Sequence, residues 1–352
     1  MPKREIILFR WSSADFAGRF IAAQASPVPG YVATVWTSEP MRPGFGATEL
    51  IPSWTASTPG GSFLRVELCG VNEAGRATKW YRLGDWAAEE TSFTRTSVSG
   101  QDDEDASVSA DILVAAQGRA LHSVQARVTM LCPQGSVDEP VLHTLHLLVS
   151  AVPRECEPSA PLAAQGKLLA VPGFSQLIHE GGEGWCSAAS TAMVLSYWGV
   201  GPVPLSNPDS VVPYTAKKIF DQGFGGCGNW PFNTAYAGGF GVRSFVTRLR
   251  SLNEAELFIA AGIPLVVSAS YGRGEVPGLD YETDGHLTVL VGFTEQGDPV
   301  LNDPNSASNA EVRKAVGRAE WEAAWLRSSR GVVYVICPES VNLPPSPIQA
   351  NW

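Results

Sequence analysis

Apolar runs of strand length recur throughout residues 1–152 and constrain the fold of the first half of the chain. Each run alternates or is continuously apolar and is bounded by Gly, Pro, Ser or Asp, a pattern typical of short strands joined by turns. No helical pattern of ten residues competes with them, apart from a turn near residues 13–19. We therefore predict an all-β sandwich for residues 1–152. The runs lie at residues 5–9, 31–36, 63–68, 79–83, 126–131 and 144–149.

The predicted sandwich contains large aromatic residues and one acidic run. The aromatics either fill the core or form a face that binds carbohydrate or a peptide substrate, and we favour the core because these side chains usually pack inside. The acidic run at residues 102–105 carries the ligand type that calcium prefers, but it lacks the regular spacing of an EF-hand and is typical of an exposed loop. The aromatics are Trp36, Trp54, Trp80, Tyr81 and Trp86.

A proline-containing stretch ends the region of strand-length runs. Pro153, Pro158 and Pro161 lie among Ala, Ser and Glu, and this composition predicts a linker over residues 153–165. A domain boundary belongs there, because few contacts are expected to cross such a stretch. Residues 166–352 then form a second domain, which we expect to fold alone.

The second domain has helical patterns first and buried strands afterwards. An Asn-x-x-Glu pattern at Asn253 and Glu256 predicts a capped helix that ends at Gly262. This order of elements predicts an α+β domain with a mainly antiparallel sheet. Further helices are expected at 187–198, 212–222 and 230–237, and strands at 242–249, 265–270, 287–294, 299–302 and 331–336.

Cys186 has the clearest chemical signal in the second domain. It stands at the start of the predicted helix 187–198, where unpaired backbone N–H groups and the helix dipole favour an anion such as a thiolate. The preceding loop, Gly181–Gly184, is rich in glycine, so that other backbone can approach closely. These features predict a nucleophilic thiol. The alternative is a cysteine that packs in the core.

Two histidines of the second domain, His179 and His286, are candidate bases for this thiol. His286 opens a buried strand, and the predicted hairpin that follows brings Asp303 near it. We expect Asp303 to orient His286 through Nδ1, which leaves Nε2 for the thiol. Asn302 should point to the opposite face and is the alternative orienting residue. Each of these residues is otherwise an ordinary strand-end or turn residue.

Gln176 lies ten residues before Cys186. A side-chain amide beside the thiolate, together with the backbone N–H of Cys186, would form an oxyanion hole for a tetrahedral intermediate. The alternative is that Gln176 is an ordinary loop residue without a role in catalysis.

Four motifs around these residues occur in order: Val-Pro-x-x-Ser-Gln, Trp-Cys-Ser-x-x-Ser-Thr-Ala-Met-Val-Leu-x-Tyr-Trp-Gly, Gly-His-Leu-Thr-Val-Leu-Val-Gly and Asn-Asp-Pro. As a set, over residues 168–338, they resemble the C39-like branch of the papain-like cysteine peptidases. The resemblance implies a helix that carries the cysteine, packed on an antiparallel sheet that carries the histidine and aspartate. It implies Cys186 as nucleophile, His286 as base, Asp303 as orienting residue and Gln176 as oxyanion donor.

The resemblance has a limit. The family's bacteriocin-processing transporters carry membrane segments and an ATPase with a Gly-x-x-x-x-Gly-Lys-Ser/Thr loop, and neither occurs in this sequence. Leader-peptide processing coupled to export is therefore not implied. Residues 1–152 resemble the β-sandwich extensions that stand beside such peptidase domains.

Composition excludes several classes of partner. The formal charge of −10 and the lack of a basic cluster argue against nucleic acid, and no apolar run reaches the length of a membrane-spanning helix. The six cysteines form no Cys-x-x-Cys pair, so we predict no metal or cofactor, although one or two disulfides are open. The apolar run Ile6–Phe9 is too short for a secretory signal, so the chain is cytoplasmic or its signal has been removed.

The sequence therefore favours a cysteine peptidase that hydrolyses peptide or related amide bonds through an acyl-thioester. Two alternatives stay open: a silent papain-like binding protein, and an acyl transferase that uses the same thioester with an amine acceptor. A peptide or protein is the expected partner, and no membrane or nucleic acid is expected. Trp185, Trp230 and Tyr271 are candidate substrate-binding residues, and core packing is the alternative for each.

Overall fold

The computed structural model describes residues 3–90, 93–153, 157–202 and 210–352 of the chain. They divide into two compact units. The first, here called the β unit, contains Glu5–Ala151 together with Phe220–Gly239. The second, here called the mixed unit, contains Val152–Ile219 and Phe240–Trp352.

Antiparallel strands build most of the β unit. They are β1 (Glu5–Ser12), β2 (Ile21–Ala22), β3 (Tyr31–Thr37), β4 (Glu49–Ser57), β5 (Phe63–Asn72), β6 (Tyr81–Trp86), β7 (Ala106–Ser109), β8 (Ile112–Ala115), β9 (Leu121–Pro133) and β10 (Val141–Ala151). A short helix, α1 (Ser13–Phe16), follows β1. One sheet has the order β1-β10-β4-β8-β7, and the other has the order β2-β3-β9-β5-β6.

Side chains from both sheets of the β unit share one hydrophobic core. Along β5, Leu64, Val66 and Leu68 are buried, whereas the intervening Arg65 and Glu67 are partly exposed. This alternation arises because successive side chains of a strand point to opposite faces. The apolar face of each strand therefore determines which side of the sheet meets the core.

Four of the five aromatic residues considered for a binding face are buried in the β unit: Trp36, Trp54, Tyr81 and Trp86. The fifth, Trp80, is partly exposed, and the guanidinium of Arg127 lies 4.2 Å from its ring centroid. Core packing therefore accounts for most of these side chains.

Strand β4 was not predicted from the sequence, because it lacks alternation and contains Pro52. Proline cannot donate a hydrogen bond to a neighbouring strand and is usually confined to positions where no partner needs that bond. Along β4, the ladder with β8 contains only Glu49 and Leu50, so Pro52 lies beyond it and pairs only with Leu147 of β10. Although β4 lies between two strands of the sheet, its described residues at Pro52 therefore have a paired strand on one side only.

A helix from the second half of the sequence completes the β unit. This helix, α4 (Trp230–Gly238), begins after Asn229, whose side chain accepts a hydrogen bond from the backbone N–H of Phe232. Phe232 and Ala235 are fully buried in the core of the two sheets. A Cβ atom added at Gly84 would lie 2.9 Å from the Phe232 ring, so glycine permits this close approach.

The sequence had assigned residues 220–239 to the second domain, whereas the structure places them in the β unit. The reason is the apolar face of α4, which finds its complement among the sheets' aromatic side chains. Phe232, for example, packs edge-on against Trp54 with ring centroids 6.1 Å apart. A contact of this kind cannot be read from local periodicity.

The mixed unit combines helices with one antiparallel sheet. The helices are α2 (Cys186–Tyr197), α3 (Val211–Ile219), α5 (Leu252–Ala260) and α6 (Arg318–Ser328). The strands are β11 (Val242–Arg248), β12 (Leu265–Tyr271), β13 (Thr283–Phe293), β14 (Pro299–Asn302), β15 (Arg313–Ala315) and β16 (Val332–Pro338). The sheet has the order β11-β16-β12-β13-β14-β15, with every pair antiparallel.

The predicted cap of α5 is wrong. Ser251, in extended backbone, is the N-cap, and Asn253 lies inside the helix. Asn253 and Glu256 instead accept hydrogen bonds from Arg318, at 2.9 and 2.7 Å. Arg318, which is distant in the sequence, therefore binds the two side chains that a capping box would have used. Strand β15 and helix α6 were not predicted.

The predicted linker, residues 153–165, includes residues 154–156, which lie outside the described part of the chain. The rest is not a free connection, because residues 157–165 are fastened to the mixed unit. The backbone N–H of Ser159 donates to Glu322, and those of Leu162 and Ala164 donate to Glu256 at 2.9 and 3.1 Å. Buried carboxylates thus satisfy the backbone of this stretch.

The acidic run in the β unit takes part in ion pairs with neighbouring basic residues. Asp105 is buried and accepts hydrogen bonds from Asn72 and Arg76, while Arg76 also pairs with Glu104 at 2.6 Å. Asp103, Glu104 and Asp105 therefore have protein partners for their carboxylates. Among the described residues, no group of three or more His, Cys, Asp or Glu could hold a metal ion.

No cysteine of the described residues forms a disulfide, and all of them but Cys186 are buried. Cys156 lies outside the described residues. In the same described ranges, no helix is long and apolar enough to cross a membrane.

Candidate active site

Helix α2 places Cys186 at its first position, as the sequence predicted. The helix is fixed to the sheet by hydroxyl groups on its next turns. Ser187 Oγ lies 3.0 Å from Tyr334 Oη of β16, and Ser190 Oγ donates to the carbonyl of Leu287 on β13 at 3.0 Å. Cys186 itself is partly exposed. A rigid helix start therefore presents the thiol beside the strand that carries His286.

His286 lies on β13 and is almost fully buried. The β13–β14 ladder pairs Val289 with Asn302, so that Asp303, one residue further, comes beside the early part of β13. His286 Nε2 and Asp303 Oδ1 are 2.7 Å apart. The sequence predicts Nδ1 at this contact. In the structure Nε2 faces the carboxylate instead, which leaves Nδ1 for the thiol.

Asp303 has no exposed surface, and four donors surround its carboxylate. Oδ1 accepts from His286 and from the backbone N–H of Asn305 at 2.9 Å. Oδ2 accepts from the Tyr281 hydroxyl at 3.1 Å and from Lys314 Nζ at 2.7 Å. Donors on both oxygens favour the charged form of a buried carboxylate.

Asn302, the alternative orienting residue, is committed elsewhere. Its Nδ2 donates to the carbonyls of Val171 and Pro172, each at 3.2 Å, and Oδ1 accepts from Arg313. The alternation of side chains along β14 separates it from Asp303. The structure thus brings His286 together with Asp303 and not with Asn302.

The pKa values of the site shift toward an ion pair. Burial raises the pKa of the Cys186 thiol, but the hydrogen bond and charge of His286, with the backbone N–H groups of Leu287 and Ser187, outweigh burial and lower it. Burial lowers the pKa of His286, yet its bonds to Asp303 and Cys186 raise it to about 9. The two shifts together favour thiolate and imidazolium over thiol and neutral imidazole.

Asp303 is held in its charged form by the same contacts. Burial raises the pKa of the carboxyl group, but the hydrogen bond and charge of His286 and those of Lys314 outweigh burial and lower it. The carboxylate can therefore orient the imidazole without taking its proton.

Comparison with known families matches both halves of the chain. Residues 17–150 match the model of the Peptidase C39 N-terminal domain, and residues 168–333 match that of the Peptidase C39-like family. The chain is therefore similar to C39-like peptidases over both of these regions. Among solved structures, it is similar to that of a proposed C39-like peptidase from Bacillus anthracis, with 18% identity, a TM-score of 0.36, and coverage of 49% of this chain and 98% of that chain. No curated protein matches it.

In the mixed unit, Gln176 lies in a loop fastened to the segment after Asp303. Its backbone N–H donates to the carbonyl of Pro304 at 2.9 Å, and Ser175, the residue before it, is bound by Asn309 and Ser306. This anchoring holds the buried side chain of Gln176 in a defined place.

The Gln176 side chain reaches the turn that precedes Cys186. Its Nε2 donates to the carbonyl of Glu183 at 2.6 Å. A Cβ atom at Gly182 would lie only 2.0 Å from the backbone carbonyl oxygen of Gln176, so only glycine allows this approach. An amide nitrogen carries two hydrogens, so one N–H of Gln176 remains beyond the Glu183 contact.

The three residues predicted to bind substrate have different positions. Trp185 is partly exposed, directly precedes Cys186 and has its ring centroid 6.2 Å from that of His179. Tyr271 is buried against Tyr281 and Trp321, and it borders an open hollow of about 590 Å³. Trp230 starts α4 and therefore belongs to the β unit.

Two residues of the site, Tyr281 and Lys314, were missed by sequence reasoning. Tyr281 lies two residues before β13, and Lys314 lies on β15, a strand of three residues. Lys314 is opposite Leu301 of β14, two residues before Asp303. This register places Lys314 beside Asp303. The sequence does not predict β15, because a strand of three residues is too short to show periodicity.

Proposed function

We propose that this protein is a cysteine peptidase that hydrolyses peptide or related amide bonds through an acyl-thioester. The observation that carries the proposal is the arrangement of Cys186 beside His286 and of His286 Nε2 at 2.7 Å from Asp303 Oδ1, with the thiol pKa lowered and the imidazole pKa raised. The match of residues 168–333 to the Peptidase C39-like family supports the same reaction class.

In the proposed acylation, the Cys186 thiolate attacks the carbonyl carbon of the scissile bond and forms a C–S bond. The carbonyl oxygen becomes an oxyanion in the tetrahedral intermediate. The His286 imidazolium then gives its Nδ1 proton to the leaving amine as the C–N bond breaks. The products of this step are a thioester and a free amine, with neutral His286 still bound to Asp303 through Nε2.

In the proposed deacylation, water attacks the thioester carbonyl and gives a proton to His286 Nδ1. The C–S bond breaks, the carboxylic acid leaves, and the thiolate and imidazolium are restored. Asp303 keeps one orientation and one tautomer of the imidazole through both steps, because its Oδ1 accepts from Nε2 throughout.

We propose that Gln176 and the backbone N–H of Cys186 donate to the oxyanion. The loop anchored at Pro304 and the contact with the Glu183 carbonyl support this role, because they fix the amide before substrate arrives. Donors arranged in advance stabilise developing charge without reorganisation, and one such donor contributes roughly 10²-fold or more to kcat.

We propose a papain-like arrangement for the mixed unit, with helix α2 carrying the nucleophile and strands β13 and β14 delivering the other two residues. We propose for the β unit a sandwich, which helps to hold a peptide or protein substrate. Trp185 is the best placed of the predicted substrate-binding residues, because it adjoins Cys186 and is partly exposed.

Selective alkylation tests the nucleophile without knowledge of the substrate. Burial raises the pKa of the Cys69 thiol to about 11 and also raises that of Cys337, whereas the pKa of Cys186 is lowered. Brief treatment with iodoacetamide near pH 6, followed by peptide mapping, should therefore modify Cys186 first. His286→Ala is the matched control, since it removes the imidazolium and should remove the selectivity.

Turnover separates a peptidase from a binding protein. The full chain should cleave members of a peptide mixture to free amines, and Cys186→Ala should not. An alkylated Cys186 without any cleavage would oppose the peptidase proposal, as would cleavage that survives in Cys186→Ala.

A further inference from the structure

Lys314 is the only lysine within ion-pair distance of the proposed catalytic residues among the described parts of the chain. On β15 it is paired with Leu301, and Leu301 and Asp303 share a side of the chain because they are two residues apart. Its ammonium group reaches Asp303 Oδ2 at 2.7 Å and the carbonyl of Asn305 at 3.3 Å. Lys314 thus meets the carboxylate on the oxygen that His286 does not use.

A count of charges shows what Lys314 contributes. Thiolate, imidazolium and carboxylate together carry a net charge of minus one, and the Asp303 side chain has no exposed surface. An uncompensated buried charge is costly. The ammonium group, whose side chain is 24% exposed, brings the cluster of four groups to neutrality.

The same count applies after proton transfer. When His286 has given its proton to the leaving amine and Cys186 is acylated, Asp303 and Lys314 remain as a neutral pair. Without Lys314, the lone carboxylate would hold the imidazolium proton more tightly. The lysine therefore favours the state in which His286 has released its proton.

We propose that Lys314 is a positioning residue, which holds the outer oxygen of Asp303 and balances its charge so that His286 can deliver its proton. This inference rests on the proposed function. Tyr281 donates to the same oxygen at 3.1 Å but carries no charge. The two residues therefore separate the effect of charge from that of geometry.

Several titratable groups surround the pair. Cys186 on α2 lies beside His286. Burial raises the pKa values of the Tyr271 and Tyr281 hydroxyls, and the nearby charge of Asp303 raises them further. On the outer side, Lys314 borders a hollow of about 730 Å³ that Asp280 and Glu311 also line. Of these carboxylates, Asp303 is the one within ion-pair distance of Lys314.

The test uses the pH at which Cys186 becomes reactive toward iodoacetamide. Removal of a positive charge makes nearby groups hold their protons more tightly, so Lys314→Met should move the onset of alkylation upward by about one pH unit. Tyr281→Phe should move it less, because no charge is lost. Arg313→Met removes a charge from the adjacent position, whose side chain binds Asn302 and Val171, and should leave the onset unchanged.

The outcomes separate this inference from the proposed function. A wild-type onset at the ordinary thiol pKa of about 8.5 would refute the proposed function itself. A low wild-type onset that Lys314→Met leaves in place would refute only the role of Lys314, and so would an equal shift in Arg313→Met. If thermal unfolding shows that Lys314→Met is not folded, Lys314→Gln replaces it. This variant retains an N–H donor without the charge and must show the same upward shift.

Discussion

Asp303→Asn is the most informative substitution, because the four donors around this side chain dictate how an amide would sit. Asparagine offers one carbonyl oxygen and one NH₂ group. Lys314 Nζ can only donate and carries a charge, so the amide oxygen should face Lys314 in place of Oδ2. The NH₂ group then faces His286 Nε2 and the backbone N–H of Asn305, where Oδ1 had accepted at 2.7 and 2.9 Å.

This orientation reverses the imidazole tautomer. His286 Nε2 must become an acceptor for the new NH₂ group, so Nδ1 carries the proton and can no longer take one from the thiol. A wrong tautomer in a triad of this type lowers kcat by about 10⁴-fold, which corresponds to about 5 kcal/mol of transition-state stabilisation. Stability should fall by only about 1–3 kcal/mol, because the partly exposed Lys314 recovers some solvation.

The assay measures kcat/KM on a cleaved peptide together with thermal unfolding. Asn302→Ala is the matched control, since it removes the adjacent buried side chain and its bonds to Val171, Pro172 and Arg313. We expect it to lose stability and to keep activity within about tenfold, because Asn302 does not contact the imidazole. Activity of Asp303→Asn within that range, or a greater loss in Asn302→Ala, would refute the tautomer argument.

Three further outcomes are expected. Cys186→Ala should abolish hydrolysis with an unchanged unfolding temperature, because alanine suits a helix start; residual turnover measured by amine release would contradict this. Alkylation of Cys186 should persist well below the ordinary thiol pKa of about 8.5, because the site lowers the thiol pKa, and should fail only as pH falls through that lowered value. Gln176→Ala should slow acylation roughly 10²-fold in single-turnover kinetics; an unchanged acylation rate would limit Gln176 to a loop role.

Local patterns predicted the helix and the hairpin that carry the candidate site residues, because these elements are regular. Helix α2 and the β13–β14 hairpin have clear periodicity, and a hairpin fixes which residues of its two strands meet. The approach of His286 to Asp303 followed from that register. The nitrogen that makes the contact did not follow, because ring orientation depends on the packing of Tyr281 edge-on to His286, with centroids 5.7 Å apart.

Other features depended on partners far away in the sequence. The local pattern around Glu256 predicted a helix cap. In the structure its carboxylate accepts hydrogen bonds from the backbone N–H groups of residues 162–164 and forms an ion pair with Arg318. Residues 162–164 lie within the stretch that composition marked as a linker, and the same carboxylate holds their backbone in place. Composition marks such a stretch by its prolines, but it does not report whether the stretch is fastened to a domain.

Helix α4 shows the same limit of local signals at the domain boundary. Its sequence has an N-cap asparagine, an early proline and an apolar face, all of which are local signals of a helix. None of them says which core that face will enter. Phe232 and Ala235 are fully buried in the β unit, so a fragment that starts at residue 166 would carry α4 without the sheets that cover it. The structural units therefore interleave along the chain, and the β unit owes part of its core to residues that follow Cys186.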